Sequence, residues 1–388
     1  MASSAIAGSG FEIGSPVRGA PCAFGLRAVS WHHLDTPDAR HAWDGLAACA
    51  AEPNPFHESW YLLPALRAFD PEGRMTLLRF EAGGELAGLL PVHRPARYYR
   101  WPIPHLASWA HPNCFLGAPL VARGLEREFW RALLAWADAH AGRALFLHLA
   151  QMPLAGPLYD GLQAVLAEQD RLAATVHRED RALLATDLSP EAYFEASLSG
   201  KKRKELRRQF NRLSDLGEVA LERTTGDEHL ARWIEDFLAL EHSGWKGTQG
   251  SALASHQATT RLFKEALFGA ASQGNLERLT LSLDGEPIAM LVQFLTPPGA
   301  FSYKTAFDER YARFSPGVLV QRENLALLDN PAIDWCDSCA AADHPMIDHI
   351  WRERRAIGRL SIAIGGKLRR MAFAQLVRAE LGRSPAGI

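Results

Sequence analysis

Two stretches of this chain repeat one order of elements, and that repetition limits the folds open to it more than any other feature. "MTLLRFEAGGELAGLLPVHR" (75–94) and "LTLSLDGEPIAMLVQF" (279–294) both read strand, tight turn, strand. Gly83-Gly84 and Asp284-Gly285 sit between apolar runs, as hairpin turns do. Two helical patterns precede each hairpin, at 38–51 and 58–69 in the first half and at 227–242 and 255–273 in the second. A third strand, a helix, a strand and another helix follow. In the first half these are "NCFLGAPLV", 126–140, "ALFLHLA" and 156–169. In the second they are "AFSYKTAF" (300–307), 316–329, "AIDWCDS" (332–338) and a helix near 345–354, before a last apolar stretch, "RLSIAIGG".

The repetition predicts an α/β chain of two similar units, each a mixed sheet flanked by helices. At 388 residues the chain is long for one core, and each half has the size of a domain. The expected divisions are a disordered lead-in at 1–21, a first unit at 22–188, a basic linker helix at 189–222 and a second unit at 223–388. The lead-in is small and polar without a basic segment ahead of a long apolar core, so it does not read as a secretory signal.

A net charge of −2 supplies no global field for nucleic acid, and DNA is not an expected partner. No apolar run approaches the ~18–20 residues of a membrane span. The five cysteines are few, odd in number and scattered, which suits a reducing cytoplasm. Cys336-x-x-Cys339 has the spacing of a redox pair, but it lies late in the chain and opens no βαβ unit. "WHH" (31–33) puts adjacent histidines on opposite faces of a strand, and no metal site is expected.

Two segments carry concentrated charge. In "SGKKRKELRRQFNRLSDLG" (199–217), seven of the twelve residues from Lys201 to Arg212 are basic, while Leu206, Phe210 and Leu213 recur at helical spacing. Ser189-Pro190 opens a helix just before it. This is a solvated linker helix or a face for phosphate or anionic lipid. "HRPARYYRWPIPHLASW" (93–109) interleaves Arg94, Arg97 and Arg100 with Tyr98, Tyr99, Trp101 and Trp109. Such side chains settle at a lipid headgroup boundary; a sugar-binding loop and plain core packing are the other readings.

The stretch "YKTAFDERYARFSPGVLVQRENLALL" (303–328) ends a strand in charges and then opens a helix at Ser315-Pro316-Gly317. Ser315 suits the N-cap, Pro316 the first helical position, and Gly317 a close approach to the backbone. Free amides up to Val318, with Arg313 beside them, would make an anion site.

A hairpin, a third strand and then such a turn resemble the GNAT acyltransferase fold, in which this loop cradles the pyrophosphate of coenzyme A. The tandem halves resemble the Fem-type subgroup. Across roughly 190–350 the letters are similar to GNAT-like acyltransferases of cellulose and exopolysaccharide biosynthesis. "KKRKELRRQFNRLSDLG", "LEHSGWKG" (240–247), "YKTAFDERYARFSPG" and "DSCAAADHPMIDHIWRERR" (337–355) carry that resemblance. It implies an N-acyltransferase with acyl-CoA as co-substrate, no tightly bound cofactor, and Arg313, Ser315, Pro316, Gly317 and Val318 on the donor. The family's glycine-rich pattern is reduced here to Gly317, and Fem-type relatives draw on aminoacyl-tRNA instead.

Acyl transfer to an amine needs a base for the attacking ammonium, a donor for the oxyanion and an acid for the leaving thiolate. His344, expected at the start of a helix in "ADHPMI", is the leading general base or acid; a helix-capping histidine is its structural reading. Asp337, at a strand end, would orient His344 or bind the ammonium. Glu241 and Lys304 are the alternative catalytic groups. Trp245 and Lys246 form a substrate loop after a helix, Asp308 lies beyond the third strand, and of Tyr303 and Lys304 one should face the cleft, since neighbours on a strand alternate. The expected acceptor is an amine, with a sphingoid-type long-chain base ahead of an amino sugar, because bacterial ceramide synthases of this fold N-acylate a sphingoid base. An aminoacyl-tRNA-dependent ligase and a non-catalytic binding module are the rivals. The expected location is cytoplasmic, with peripheral contact at the inner membrane.

Overall fold

The structure is a computed structural model that describes residues 23–342, 344, 346–385 and 388; the expected lead-in at 1–21 lies outside the described residues. In the first half β1 (Phe24–Ser30) leads to α1 (Pro37–Ala48) and α2 (Ser59–Phe69). The hairpin β2 (Thr76–Ala82) and β3 (Glu85–His93) follows, then β4 (Leu106–Ser108), β5 (Leu120–Val121), α3 (Glu126–Ala139), β6 (Phe146–Pro153), α4 (Pro157–Glu168) and β7 (Ala173–Leu184). Two helices come next, α5 (Pro190–Ser197) and α6 (Gly200–Ser214). The second half holds β8 (Val219–Thr225), α7 (Leu230–Ser243), α8 (Trp245–Thr248), α9 (Gln257–Ser272) and the hairpin β9 (Leu276–Leu283) and β10 (Glu286–Thr296). It ends with β11 (Gly299–Phe307), α10 (Pro316–Glu323), β12 (Trp335–Asp337), β13 (Glu353–Ala363) and α11 (Lys367–Leu381).

All strands join one mixed sheet, ordered β1-β2-β3-β4-β6-β13-β7-β12-β11-β10-β9-β8, with β5 paired to β3. The two arms mirror each other about the centre, where the last strands change places. β13, from the end of the chain, pairs antiparallel with β6 and β7 of the first half. β7, from the end of the first half, pairs antiparallel with β12 of the second. The divisions 22–188 and 223–388 therefore follow chain order and do not enclose separate sheets, and β8 begins inside the expected linker.

One apolar cluster runs through both arms, holding Trp43 and Leu89 from one and Phe263, Phe294 and Ile362 from the other. Its seam is aromatic. Phe56 meets Tyr61 edge-on at 5.1 Å, and Trp60 meets Phe294 at 4.9 Å; such pairs contribute about 0.5–1.5 kcal/mol each beyond burial. The equivalent helices α2 and α9 cross closely because position 269 is glycine. A Cβ there would lie 2.9 Å from both Trp60 Cβ and its carbonyl oxygen.

Three expected elements differ. "NCFLGAPLV" supplies only the two residues of β5 as strand, and β4 forms upstream. The segment is held otherwise: Asn54 Nδ2 donates to the Leu116 and Ala118 carbonyls at 3.3 and 2.7 Å, and Gly117 N donates to Gln151 O at 3.0 Å. No helix forms over 346–352, because Ile347, Ile350 and Trp351 enter a core as turns and β13 begins at Glu353. Beyond β13, "KLRRMAFAQLVRAEL" forms a helix not foreseen, with Phe373 and Val377 on its buried face.

Candidate active site

β11 and β12 run parallel and pair only from Gly299–Trp335 to Phe301–Asp337. β12 stops there while β11 continues to Phe307, so its edge from Ser302 onward loses its neighbour. A cavity of about 770 Å³ opens in that gap. Its walls are Ser302–Phe307 on one side and Ser338–Ala341, His344, Met346 and Ile347 on the other, with Glu241, Trp245 and Lys246 from α7 and α8, Gln321 from α10, and Phe115 from the first half.

On its other edge β11 carries a bulge. Val292 faces Lys304 and Gln293 faces Ser302, which leaves Tyr303 as the extra residue. Where one of the pair was expected in the cleft, both Tyr303 and Lys304 line it. The Tyr303 ring packs in the aromatic seam, stacked on Phe294 at 4.7 Å, and its hydroxyl is 3.1 Å from that of Tyr61. Tyr61 gives its single proton to the Asn113 carbonyl, so Tyr303 donates to Tyr61. Lys304 Nζ sits 5.3 Å from the Phe115 ring centroid. Burial, and then the charge of Lys246, lower its pKa to about 8.

His344 lines the cavity. Its Nδ1 is buried and has no hydrogen-bond partner among the described residues. Burial first, and Lys246 second, lower its pKa, so it is neutral near pH 7. Lys246 Nζ donates to Glu241 Oε1 at 2.9 Å, and Leu253 N donates to Glu241 Oε2 at 2.8 Å. Both oxygens of Glu241 are thus engaged in tying α7 to the loop after α8. Trp245 stands half-exposed at the mouth, where its backbone N donates to Glu309 Oε1 at 2.7 Å.

Other expected site residues lie elsewhere. Asp337 is fully buried and does not touch His344. Its Oδ2 accepts from Arg181 at 2.7 Å and Arg355 at 3.0 Å, and its Oδ1 from Cys339 N at 2.9 Å. A carboxylate at the centre of the exchanged strands thus neutralises two arginines. It reaches the site only indirectly, since Arg181 also donates to the Phe115 carbonyl at 2.7 Å. Asp308 caps the turn at Glu309–Phe314 and pairs with Arg310; its neighbour Glu309 faces the cavity instead.

The turn at 315 is closed. Ser315 adopts the left-handed conformation, at φ 54° and ψ 49°, and its side chain caps nothing. Its N donates to Ala312 O and Val318 N donates to Ser315 O, both at 2.9 Å, so these amides are occupied. A Cβ at Gly317 would lie 2.6 Å from Met346 Sδ and 3.4 Å from the Phe307 ring, so the position is also tight for packing. Pro316 is buried, and exposed Arg313 lies over the Phe314 ring at 4.7 Å. None of these five residues lines the cavity.

Sequence reasoning missed Phe115, Cys339 and Gln321. Gln321 Nε2 donates to Thr305 Oγ1 at 3.3 Å, while its Oε1 is buried without a partner among the described residues. The available signal was a polar residue on the apolar face of α10, one turn after Gly317. Cys339 lines the cavity as a free thiol, and burial raises its pKa and that of Cys336 well above the usual thiol value. Neither is a thiolate near neutrality.

The family model of the acetyltransferase (GNAT) domain matches residues 200–344, the stretch that forms most of this cavity. No curated protein matches the chain in sequence. The solved structure of FemX is 10% identical with a TM-score of 0.54, covering 87% of this chain and 98% of its own. A conserved protein of unknown function from Bacteroides thetaiotaomicron VPI-5482 is 11% identical with a TM-score of 0.53, covering 84% and 97%. The chain thus has the two-armed, Fem-type form of the GNAT-like fold, and its second arm carries the acetyltransferase-domain match.

Proposed function

We propose that the protein is an acyl-CoA-dependent N-acyltransferase, with a sphingoid-type long-chain base as acceptor. The observation that carries this reading is the parting of β11 from β12 around a largely apolar cavity that also holds Lys304 and His344. Phe115, Ala306, Phe307, Ala340, Met346 and Ile347 offer an acyl chain a dry surface, while Lys304 and His344 supply proton chemistry.

In this reading the amine nitrogen attacks the thioester carbonyl carbon and a C–N bond forms. The proton shed by the attacking nitrogen passes to neutral His344. The Lys304 ammonium faces the oxyanion and then gives its proton to the thiolate as the C–S bond breaks. Glu241 holds Lys246 near both groups, where its charge lowers the pKa of each. Low-dielectric walls strengthen each of these interactions.

The test is thiol release from acyl-CoA by the purified protein over a panel of amines and acyl-chain lengths. Release that depends on a long-chain amino alcohol supports the proposal. Release only with an amino sugar moves the acceptor to exopolysaccharide chemistry. Co-purifying aminoacyl-tRNA without thiol release replaces the donor, and no transfer with any donor leaves a binding module.

A further inference from the structure

The four most exposed large hydrophobic side chains among the described residues are Leu368 (83%), Met371 (65%), Tyr99 (60%) and Trp101 (56%). They belong to two segments far apart in sequence that lie side by side. Tyr98 Oη donates to Glu380 near the end of α11 at 2.9 Å, and Arg94 donates to the His140 carbonyl at 2.7 Å. Arg369, at the start of α11, donates to the nearby Gly142 carbonyl at 2.8 Å. The loop over 94–103 is therefore tied to α11 at Glu380, and its Arg94 end lies by the His140–Gly142 turn that Arg369 reaches from the start of the helix. Leu368 and Met371 lie on the helix face opposite Phe373 and Val377, pointing to solvent.

Asp138, beside the start of α11, is taken up by Arg171, Arg370 and Gly365 N, and the exposed charges of the loop and of the helix start are basic. Arg97, Arg100 and Lys367 are exposed, and none has a carboxylate within ion-pair distance among the described residues. Glu380, the one acid of α11, is turned inward onto Tyr98. Arg100 lies over the Trp101 ring at 5.4 Å, a pairing that brings an aromatic and a cation to the same depth. No helix among the described residues is long and apolar enough to cross a membrane.

We infer that this surface docks the protein on an anionic bilayer, with Trp101, Tyr99, Leu368 and Met371 entering the headgroup boundary and the arginines on lipid phosphates. An apolar protein partner would call for a patch without unpaired cations at its centre, whereas a leaflet of anionic lipid answers both features. The inference needs no acyl transfer and can stand or fall apart from the activity proposed above.

The experiment is co-sedimentation of the full chain with phosphatidylcholine vesicles, with and without phosphatidylglycerol. Binding is expected only to the anionic vesicles and falls with added salt. Trp101→Ser with Leu368→Ser should weaken it at least about tenfold, and each of Arg97→Ala and Arg100→Ala about fivefold, from ~1 kcal/mol per basic residue near the surface. These side chains point outward, so melting temperatures should stay at the wild-type value. Equal binding to neutral vesicles, or no binding to anionic ones, overturns the inference. So does loss of binding on reversing Lys201, Lys202 and Lys204 but not on altering the patch. A dimer in sedimentation velocity that the Trp101/Leu368 change converts to monomer assigns the surface to a second copy instead.

Discussion

In the second half the strand after the hairpin runs nine residues and outlasts its parallel neighbour; in the first half the equivalent strand is cut to Leu106–Ser108. Both arms place a parallel pair there, β4 with β6 and β11 with β12. The second opens a cavity of about 770 Å³. In the first, Trp109, Cys114 and Leu116 turn inward where a cavity would lie, pinned by Asn54 and the end of β6. One topology thus supports either a cleft or a packed wall, and the length of the third strand decides which. The first half contributes Phe115 as a wall of the other half's cavity.

This contrast can be broken by mutation. His344→Ala should lower turnover by about 10²–10⁴-fold with little change in donor KM, the usual range for a general acid–base group. It should also remove the acidic limb of the rate profile, which lies below pH 6.5 because the pKa is lowered. An altered melting temperature with unchanged turnover would return His344 to a structural role.

Asp337→Asn should act on stability, since it leaves the buried Arg181 without its ion-pair partner, at a cost of about 3–5 kcal/mol. Urea unfolding measures this. Lost turnover at wild-type stability would instead restore an orienting role toward the histidine. In the packed arm, Gly117→Ala forces a Cβ to within 2.1 Å of Ala150 O. It should destabilise by about 1–3 kcal/mol and leave the kinetic constants of the folded protein alone.

A further effect shows only as a pH dependence. Lys304 titrates at about 8 when folded and near 10.4 when unfolded, so between these values the unfolded chain binds more protons. Stability should therefore gain from this group as pH rises through that window. Lys304→Met should flatten the gain, be at least as stable as wild type below pH 8, and lose the alkaline limb of activity near pH 8.

The fold was legible where periodicity and turn chemistry agreed. Both hairpins, α1, α2, α7 and α9 lie within a few residues of their expected places. What failed was non-local. "NCFLGAPLV" has strand composition, but the Asn54 side chain and Gly117 hold it as irregular backbone. The apolar spacing of Ile347, Ile350 and Trp351 suits a helix, yet β7 and β6 claim the chain from Glu353. At the site, His344, Lys304, Tyr303, Glu241, Trp245 and Lys246 come together, as expected, from three separated segments. Asp337 and the turn at Ser315 were not, since neither the buried arginines nor the Met346 side chain that closes on Gly317 can be read from nearby letters.

The exchanged central strands have a consequence for synthesis. Leu183 finds its partner Glu353, and Phe146 its partner Ala363, only when the chain is nearly complete. At about 5–20 residues per second, the first half waits roughly ten to forty seconds on the ribosome with the edges of β6 and β7 unpaired. Such edges invite pairing with other chains. A fragment ending near residue 188 would keep those edges unpaired, so it should aggregate more readily than the full chain.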